Sequence, residues 1–227
     1  MSYRNLSIAE AEAEIAYFAQ QQLRRHIRFV DTHHTYRPHK GQWRGRATVE
    51  GMARFHRSLG WSDIGQHWSI GPDGSIWTGR DLNALPCSQT GFNTGALMYE
   101  MVGNFCETGE PGSAPPYDTL DGEQRAAAVA VSAAVVAVFH LPLSGVRFHR
   151  QLHPPGRPPP KTCPGNSIDY ETFTRLVEVR CRARFGFDPP GGYASHVFDP
   201  GDMEGSGEPE PEKLVAFLES GGGSALA

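Results

Sequence analysis

An α/β fold is what this sequence predicts, and two observations predict it. Stretches with apolar residues at helical spacing alternate with short runs that read at period two, and the connections between them are rich in Gly, Pro and Asn. With 227 residues, 39% of them hydrophobic, the chain has enough apolar material for one ordinary core plus appendages.

Residues 7–26 read as a helix: Ser7 and Glu10 match a capping box, and Ile8, Ile15, Phe18 and Leu23 recur at roughly helical spacing. Residues 27–32 read as a strand whose one face carries Ile27, Phe29, Asp31 and, at its end, His33. The stretch 36–45 is a polar loop punctuated by Pro and Gly. Residues 48–59 form a short helix with Val49, Met52, Phe55 and Leu59 inward, and Gly60 stops it. Strands at 66–71 and 75–78 flank the turn Pro72-Asp73-Gly74. After a loop over 81–95, residues 96–103 read as a buried strand with one charge, Glu100. Asp121 starts a helix over 122–139 with Gln124 at the capping-box position. Residues 145–149 are a strand ending on His149, and the Pro-rich stretch 154–160 is stiff and extended. The last core helix spans 169–184, with Phe173, Leu176 and Val177 inward and three arginines near its C-terminal end. Composition divides the chain into an N-terminal helical extension (1–26), a central domain (27–187) and a Gly/Pro/acid-rich tail (188–227) with a short helix at 211–219.

The bulk numbers exclude several classes. The net charge of -4 is set by the tail: seven of the 25 acids but one of the 21 bases lie from Asp199 onward, leaving the first 198 residues at +2. That mild excess points to no particular partner and is too weak to argue for nucleic acid. Four cysteines in this length do not make a disulfide scaffold. Met1 precedes a polar, acid-containing segment, so no secretory signal is expected; cytoplasmic synthesis, with any delivery by lysis or a dedicated route, fits. The longest apolar run, 126–139, is too short to insert in a membrane and reads as a buried helix.

Chemistry concentrates in three segments distant along the chain. His33-His34-Thr35, Phe148-His149-Arg150 and Lys161-Thr162-Cys163-Pro164-Gly165 offer one thiolate and two imidazoles. Three protein ligands with a position left for water is the pattern of catalytic zinc, whereas structural zinc takes four.

At Thr32-His33-His34-Thr35, Gly60-Trp61-Ser62-Asp63-Ile64-Gly65, Pro72-Asp73-Gly74 and Lys161-Thr162-Cys163-Pro164-Gly165 the chain resembles the zinc-dependent N-acetylmuramoyl-L-alanine amidases, which include phage endolysin amidases and the peptidoglycan recognition proteins. The resemblance implies a single domain with a mixed central β-sheet flanked by helices and a zinc ion in a surface groove. It also implies hydrolysis of the amide between the lactyl group of N-acetylmuramic acid and L-alanine of the stem peptide, so the implied partner is peptidoglycan or a muropeptide. By the same resemblance His33, His149 and Cys163 are the metal ligands. Fourteen residues separate His149 from Cys163, longer than the family's usual interval by the length of a Pro-rich insertion within 152–160. A surface loop accommodates such an insertion because closure entropy grows only slowly with length. His153 is the competing ligand for His149; a strand end preorganises a ligand better than a proline loop does.

Two further groups carry the implied mechanism. Glu100 is either a paired core acid or a general base, the role a Glu in the corresponding strand has in the branch acting on cell-wall turnover fragments. Other members use a Tyr at the site that here is Gln66. Lys161 matches the family's catalytic lysine. Arg80, Asn83, Asn93 and Trp43 are candidates for substrate contact, with surface or hairpin packing as the plain alternative for each. Two other functions stay open: a peptidoglycan-binding sensor without catalysis, whose kind typically lacks the Cys ligand, and a zinc hydrolase of a different amide.

Overall fold

The computed structural model describes residues 2–154 and 161–191; most of the Pro-rich stretch and the helix expected at 211–219 lie outside the described residues. Strands form where the sequence runs apolar or alternates: β1 (Asn5–Leu6), β2 (Phe29–His34), β3 (Trp68–Ile70), β4 (Ile76–Thr78), β5 (Ala96–Met101) and β6 (Val146–Phe148). They make one mixed sheet in the order β1-β4-β3-β5-β2-β6. β2 lies parallel between β5 and β6, β3 is parallel to β5, and β4 and β1 continue antiparallel. The helices are α1 (Ile8–Tyr17), α2 (Arg46–Ser58), α3 (Gly122–Val138) and α4 (Tyr170–Arg180), giving the mixed α/β architecture that the resemblance implies.

Register decides what each face of the sheet carries, because side chains alternate along a strand. Val30, Leu97, Tyr99, Val146 and Phe148 share one face and belong to the main hydrophobic core with α3, and the buried polar Thr32 lies on that face too. α3 is Ala- and Val-rich and buried on nearly all sides, since it packs on the sheet, α1 and α4 together. A polar link lies within this layer: the Tyr99 hydroxyl meets Ser132 Oγ of α3 at 2.9 Å and accepts from Thr32 Oγ1 at 2.9 Å. The opposite face carries Asp31 and His33 of β2, Glu100 of β5 and Arg147 of β6. A smaller cluster of Val49, Met52, Ala53, Ile64, Trp77 and Tyr3 packs α2 against the hairpin.

Several local expectations need correction. β1, only two residues long, gives no periodic signal, yet it pairs Leu6 with Ile76 and adds an edge strand. The capping box of α1 forms, with Ser7 N–H donating to Glu10 Oε2 at 2.7 Å. The regular helix nevertheless ends at Tyr17, a π turn covers Phe18–Gln22, and Leu23 turns extended and is 41% exposed instead of inward. In α4, Phe173, Val177 and, just beyond, Cys181 form the buried stripe, while Leu176 is 38% exposed. Gln124 is no capping-box partner: its side chain donates to the carbonyls of Ile70 (3.1 Å) and Val102 (2.8 Å) and stitches α3 to the ends of β3 and β5. None of the four cysteines forms a disulfide, and all are buried. Among the described residues no helix is long and apolar enough to cross a membrane.

Candidate metal centre

Parallel β2 and β6 end side by side, so the residues at their C-terminal ends emerge together. His33 is the next-to-last residue of β2, and His149 follows β6 directly in a single 3-10 turn. Their rings lie 4.4 Å apart between centroids. Cys163 reaches the same point from the loop after the Pro-rich stretch. One donor atom from each of His33, His149 and Cys163 falls within 4.8 Å of the others, and all three side chains are buried. Among the described residues the group stops at three.

The Cys163 loop is held close by a glycine. Gly165 has φ +103°, and a Cβ there would sit 2.0 Å from the Phe105 carbonyl oxygen, so only glycine lets this loop press onto residues 105–106. Ser167 Oγ donates to the same carbonyl at 2.6 Å, and Arg150 N–H donates to the Cys163 carbonyl at 2.8 Å. Cys163 Sγ itself accepts the His34 N–H at 3.4 Å.

The donors suit a divalent zinc ion. The His33 Nδ1 to Cys163 Sγ distance is 3.6 Å; zinc bonds of about 2.0 Å to nitrogen and 2.3 Å to sulfur at a tetrahedral angle put the two atoms about 3.5 Å apart. Burial, then neighbouring His149, holds His33 far below the usual imidazole range, and burial followed by Lys161 brings His149 down to about 3. Both imidazoles are therefore neutral, as ligands must be. Burial pushes the Cys163 thiol up, opposed by the His34 N–H and the Lys161 charge. A thiol so placed gives up its proton when a cation takes the sulfur.

Around the donors sits a polar shell that sequence reading left out. His33 Nε2 is 2.8 Å from Ser88 Oγ, which donates to Asp31 Oδ2 at 2.7 Å. Asp31 forms an ion pair with Arg147 (Nε–Oδ1 2.7 Å), and both side chains are 0% exposed. The Arg147 guanidinium also stacks over Phe29 at 3.7 Å. His149 Nε2 lies 2.8 Å from Gln89 Oε1. For Asp31 a signal did exist: it precedes His33 by two residues on β2, which puts the two on the same face, whereas His149 lies beyond the end of β6 and strand alternation does not link it to Arg147. Ser88 and Gln89 sit in an irregular loop with no such signal.

The remaining predicted residues fall in different places. Glu100 pairs in register with His33 on the same face, is 7% exposed, and burial alone drives its carboxyl up to about 8. Lys161 is partly buried, and its charge reaches His33, His149 and Cys163. His153 lies outside the three-residue cluster, with Nδ1 3.2 Å from the Pro154 carbonyl oxygen. Gln66 is fully buried and donates to Ser69 Oγ at 2.9 Å.

The four residues named as candidates for substrate contact each have partners within the chain. Arg80 is 5% exposed because its guanidinium ties together the carbonyls of Ile64 (2.9 Å), Leu85 (2.8 Å) and Asp63 (3.3 Å). Asn83 accepts from Arg24 N–H and donates to the Gln22 carbonyl, both at 2.9 Å, joining its loop to the segment after α1. Trp43 donates to Asp73 Oδ2 at 3.1 Å and packs on the α2 cluster. Asn93 is buried, and its Oδ1 accepts the N–H groups of Ser88 (2.9 Å) and Gln89 (3.0 Å).

Comparison with known proteins agrees with this geometry. A family model described as N-acetylmuramoyl-L-alanine amidase matches residues 23–166. The N-acetylmuramoyl-L-alanine amidase of Mus musculus is 29% identical over 166 residues, which is 69% of this chain and 28% of the mouse protein. Peptidoglycan-recognition protein SC2 of Drosophila melanogaster is 33% identical over 58 residues, 25% of this chain and 32% of the fly protein. The chain thus spans about a third or less of the length of these relatives. Among solved structures, the endolysin amidase LysCS from Clostridium intestinale superimposes with a TM-score of 0.52 at 23% identity, covering 67% of this chain and 84% of the other, a shared fold.

Proposed function

The chain belongs to the N-acetylmuramoyl-L-alanine amidase family, and from that premise we propose that it is a zinc-dependent hydrolase acting on peptidoglycan or muropeptides. The bond cleaved is the amide between the lactyl group of N-acetylmuramic acid and L-alanine. The observation that carries the reading is the convergence of His33, His149 and Cys163 within 4.8 Å on the sheet face that also holds Glu100.

In this reading those three side chains hold the ion. Zinc with three protein ligands and an open position supplies Lewis acidity to a carbonyl oxygen and to water. The chain's own groups handle the protons. Glu100 takes a proton from the attacking water as its oxygen adds to the lactyl carbonyl carbon. It then returns the proton to the alanine nitrogen as the C–N bond breaks, leaving a lactyl carboxyl group and a free amine. Burial raises this carboxyl to about 8, and a dication held by His33, His149 and Cys163 would favour the charged form that a base must have. Lys161 brings positive charge toward the oxygen on which negative charge develops; its influence at His149 and Cys163 supports that placement.

The test combines zinc content with release of new amino groups from purified peptidoglycan and muropeptides. Wild type is expected to hold about one zinc per chain, in line with one three-ligand site, and to release amines. Cys163→Ala is expected to lose both; full activity in that variant would end the reading. Tight wall binding without release would identify a sensor, and faster cleavage of generic peptides than of muropeptides would identify a different amidohydrolase.

A further inference from the structure

Two consecutive loop residues each meet one of the clustered histidines, and hydrogen-bond chemistry dictates which way the protons point. Arg147 gives two N–H donors to Asp31, Nε to Oδ1 at 2.7 Å and Nη2 to Oδ2 at 3.1 Å. The ion-paired carboxylate can only accept. The hydroxyl proton of Ser88 therefore goes to Asp31 Oδ2, 2.7 Å away, and the Ser88 oxygen faces His33 Nε2 at 2.8 Å as an acceptor. The His33 imidazole must carry its proton on Nε2. Its Nδ1 is left with the lone pair, and that atom lies 3.6 Å from Cys163 Sγ. At His149 the partner is again an acceptor, Gln89 Oε1 at 2.8 Å from Nε2, so the second ring has the same tautomer. Ser88 and Gln89 are in turn fixed by one atom, Asn93 Oδ1, which accepts both of their backbone N–H groups.

We propose that Ser88-Gln89 is a two-residue clamp that holds both imidazoles as Nε2–H tautomers and directs their Nδ1 atoms at one metal ion, with Asn93 and the Asp31–Arg147 pair as its anchors. The metal part rests on the zinc reading above; the tautomer part holds for the metal-free protein as well. Ser88, Gln89, Asn93, Asp31 and Arg147 are positioning residues, acting on the ligands and not on substrate. An unclamped imidazole samples both tautomers and several ring angles, so removing its partner weakens metal binding, typically by about 10- to 100-fold.

Histidine proton placement is read directly from long-range proton–nitrogen NMR spectra of the metal-free, nitrogen-15-labelled protein. Zinc affinity is read by competition with a chromophoric chelator. In wild type both His33 and His149 are expected as Nε2–H tautomers. Ser88→Ala and Gln89→Leu are each expected to bind zinc about 10- to 100-fold more weakly while the metal-free proteins melt within a few degrees of wild type. Gln89→Glu, which keeps an acceptor, restores affinity, an effect that a merely structural residue would not produce. Should Ser88→Ala fail to fold, the Gln89 pair, at a partly exposed position, decides the matter. An Nδ1–H tautomer at either histidine in wild type, or wild-type zinc affinity in either folded variant, would overturn the clamp. Absence of zinc binding by wild type would instead remove the metal reading, and the spectra would still decide the tautomers.

Discussion

Glu100 is a carboxyl on a buried strand whose raised pKa has a single cause, loss of water. A core acid kept for stability is normally paired with a cation, as Asp31 is with Arg147 on the neighbouring strands. The contrast between the two acids, Asp31 ion-paired with Arg147 and Glu100 raised by burial, supports the proposed base role of Glu100. Glu100→Gln is therefore expected to keep zinc at the wild-type level and lose about 10²- to 10⁴-fold in kcat, the usual range for removal of a general acid–base. Paired metal analysis and steady-state kinetics check this, and an unchanged kcat would assign the proton transfer to another group. Among the arginines the same logic runs in reverse. Arg80 and Arg147 are buried and bound to carbonyls or a carboxylate, so their charge is met by groups of the scaffold.

At the scale of elements, the parallel pairing of β2 with β6 brings the two histidines together, and a loop packed against residues 105–106 supplies the sulfur. Gly165 is the weak point of that loop. Gly165→Ala places a methyl group 2.0 Å from the Phe105 carbonyl oxygen at φ +103°, and is expected to destabilise the protein by about 2 kcal/mol or more. Urea unfolding checks it as a lower midpoint at unchanged m, accompanied by weaker zinc uptake. Elsewhere, two buried imidazoles brace connections. His56 Nδ1 accepts the Gly65 N–H at 3.0 Å, and His67 Nδ1 accepts the Met98 N–H at 3.0 Å. Burial brings both down to about 3. A folded pKa below the unfolded one means that stability is fully present above about 6.5 and is lost as pH falls toward 3. Metal-free protein is expected to lose stability steadily over that window. His56→Asn should flatten the profile relative to wild type in pH-dependent urea titrations, and an identical slope would show that His56 does not contribute.

At the scale of the whole molecule, the sheet separates two tasks. One face buries the Ala/Val-rich α3 and supplies the main hydrophobic core, and the other gathers Asp31, His33, Glu100 and Arg147, with the smaller α2 cluster meeting it at Trp77. All residues of the candidate centre and its shell lie between Asp31 and Cys163, within the stretch matched by the family model. Deleting residues 192–227, which lie outside the matched stretch, is therefore expected to leave zinc stoichiometry and the rate on muropeptides within about twofold of wild type. A truncated protein that binds zinc but fails to turn over would assign the tail a part in catalysis.

The capping box of α1, the Pro72-Asp73-Gly74 hairpin turn, the apolar strand around Glu100 and the motif residues His33, His149 and Cys163 were legible because each is a local pattern or a short string of residue types. Period two also placed Asp31 beside His33, although nothing in the string tied it to Arg147, 116 residues away. The two-residue β1, the true partners of Gln124, and the scaffold roles of Arg80 and Asn93 were not legible, since a polar side chain in a loop reads the same whether it faces solvent or a distant carbonyl. By itself the sequence determined the elements, the family resemblance and the donor types. Only the tertiary structure decided which histidine stands beside His33 and Cys163, and which groups set its proton, because those contacts join segments that no local periodicity connects.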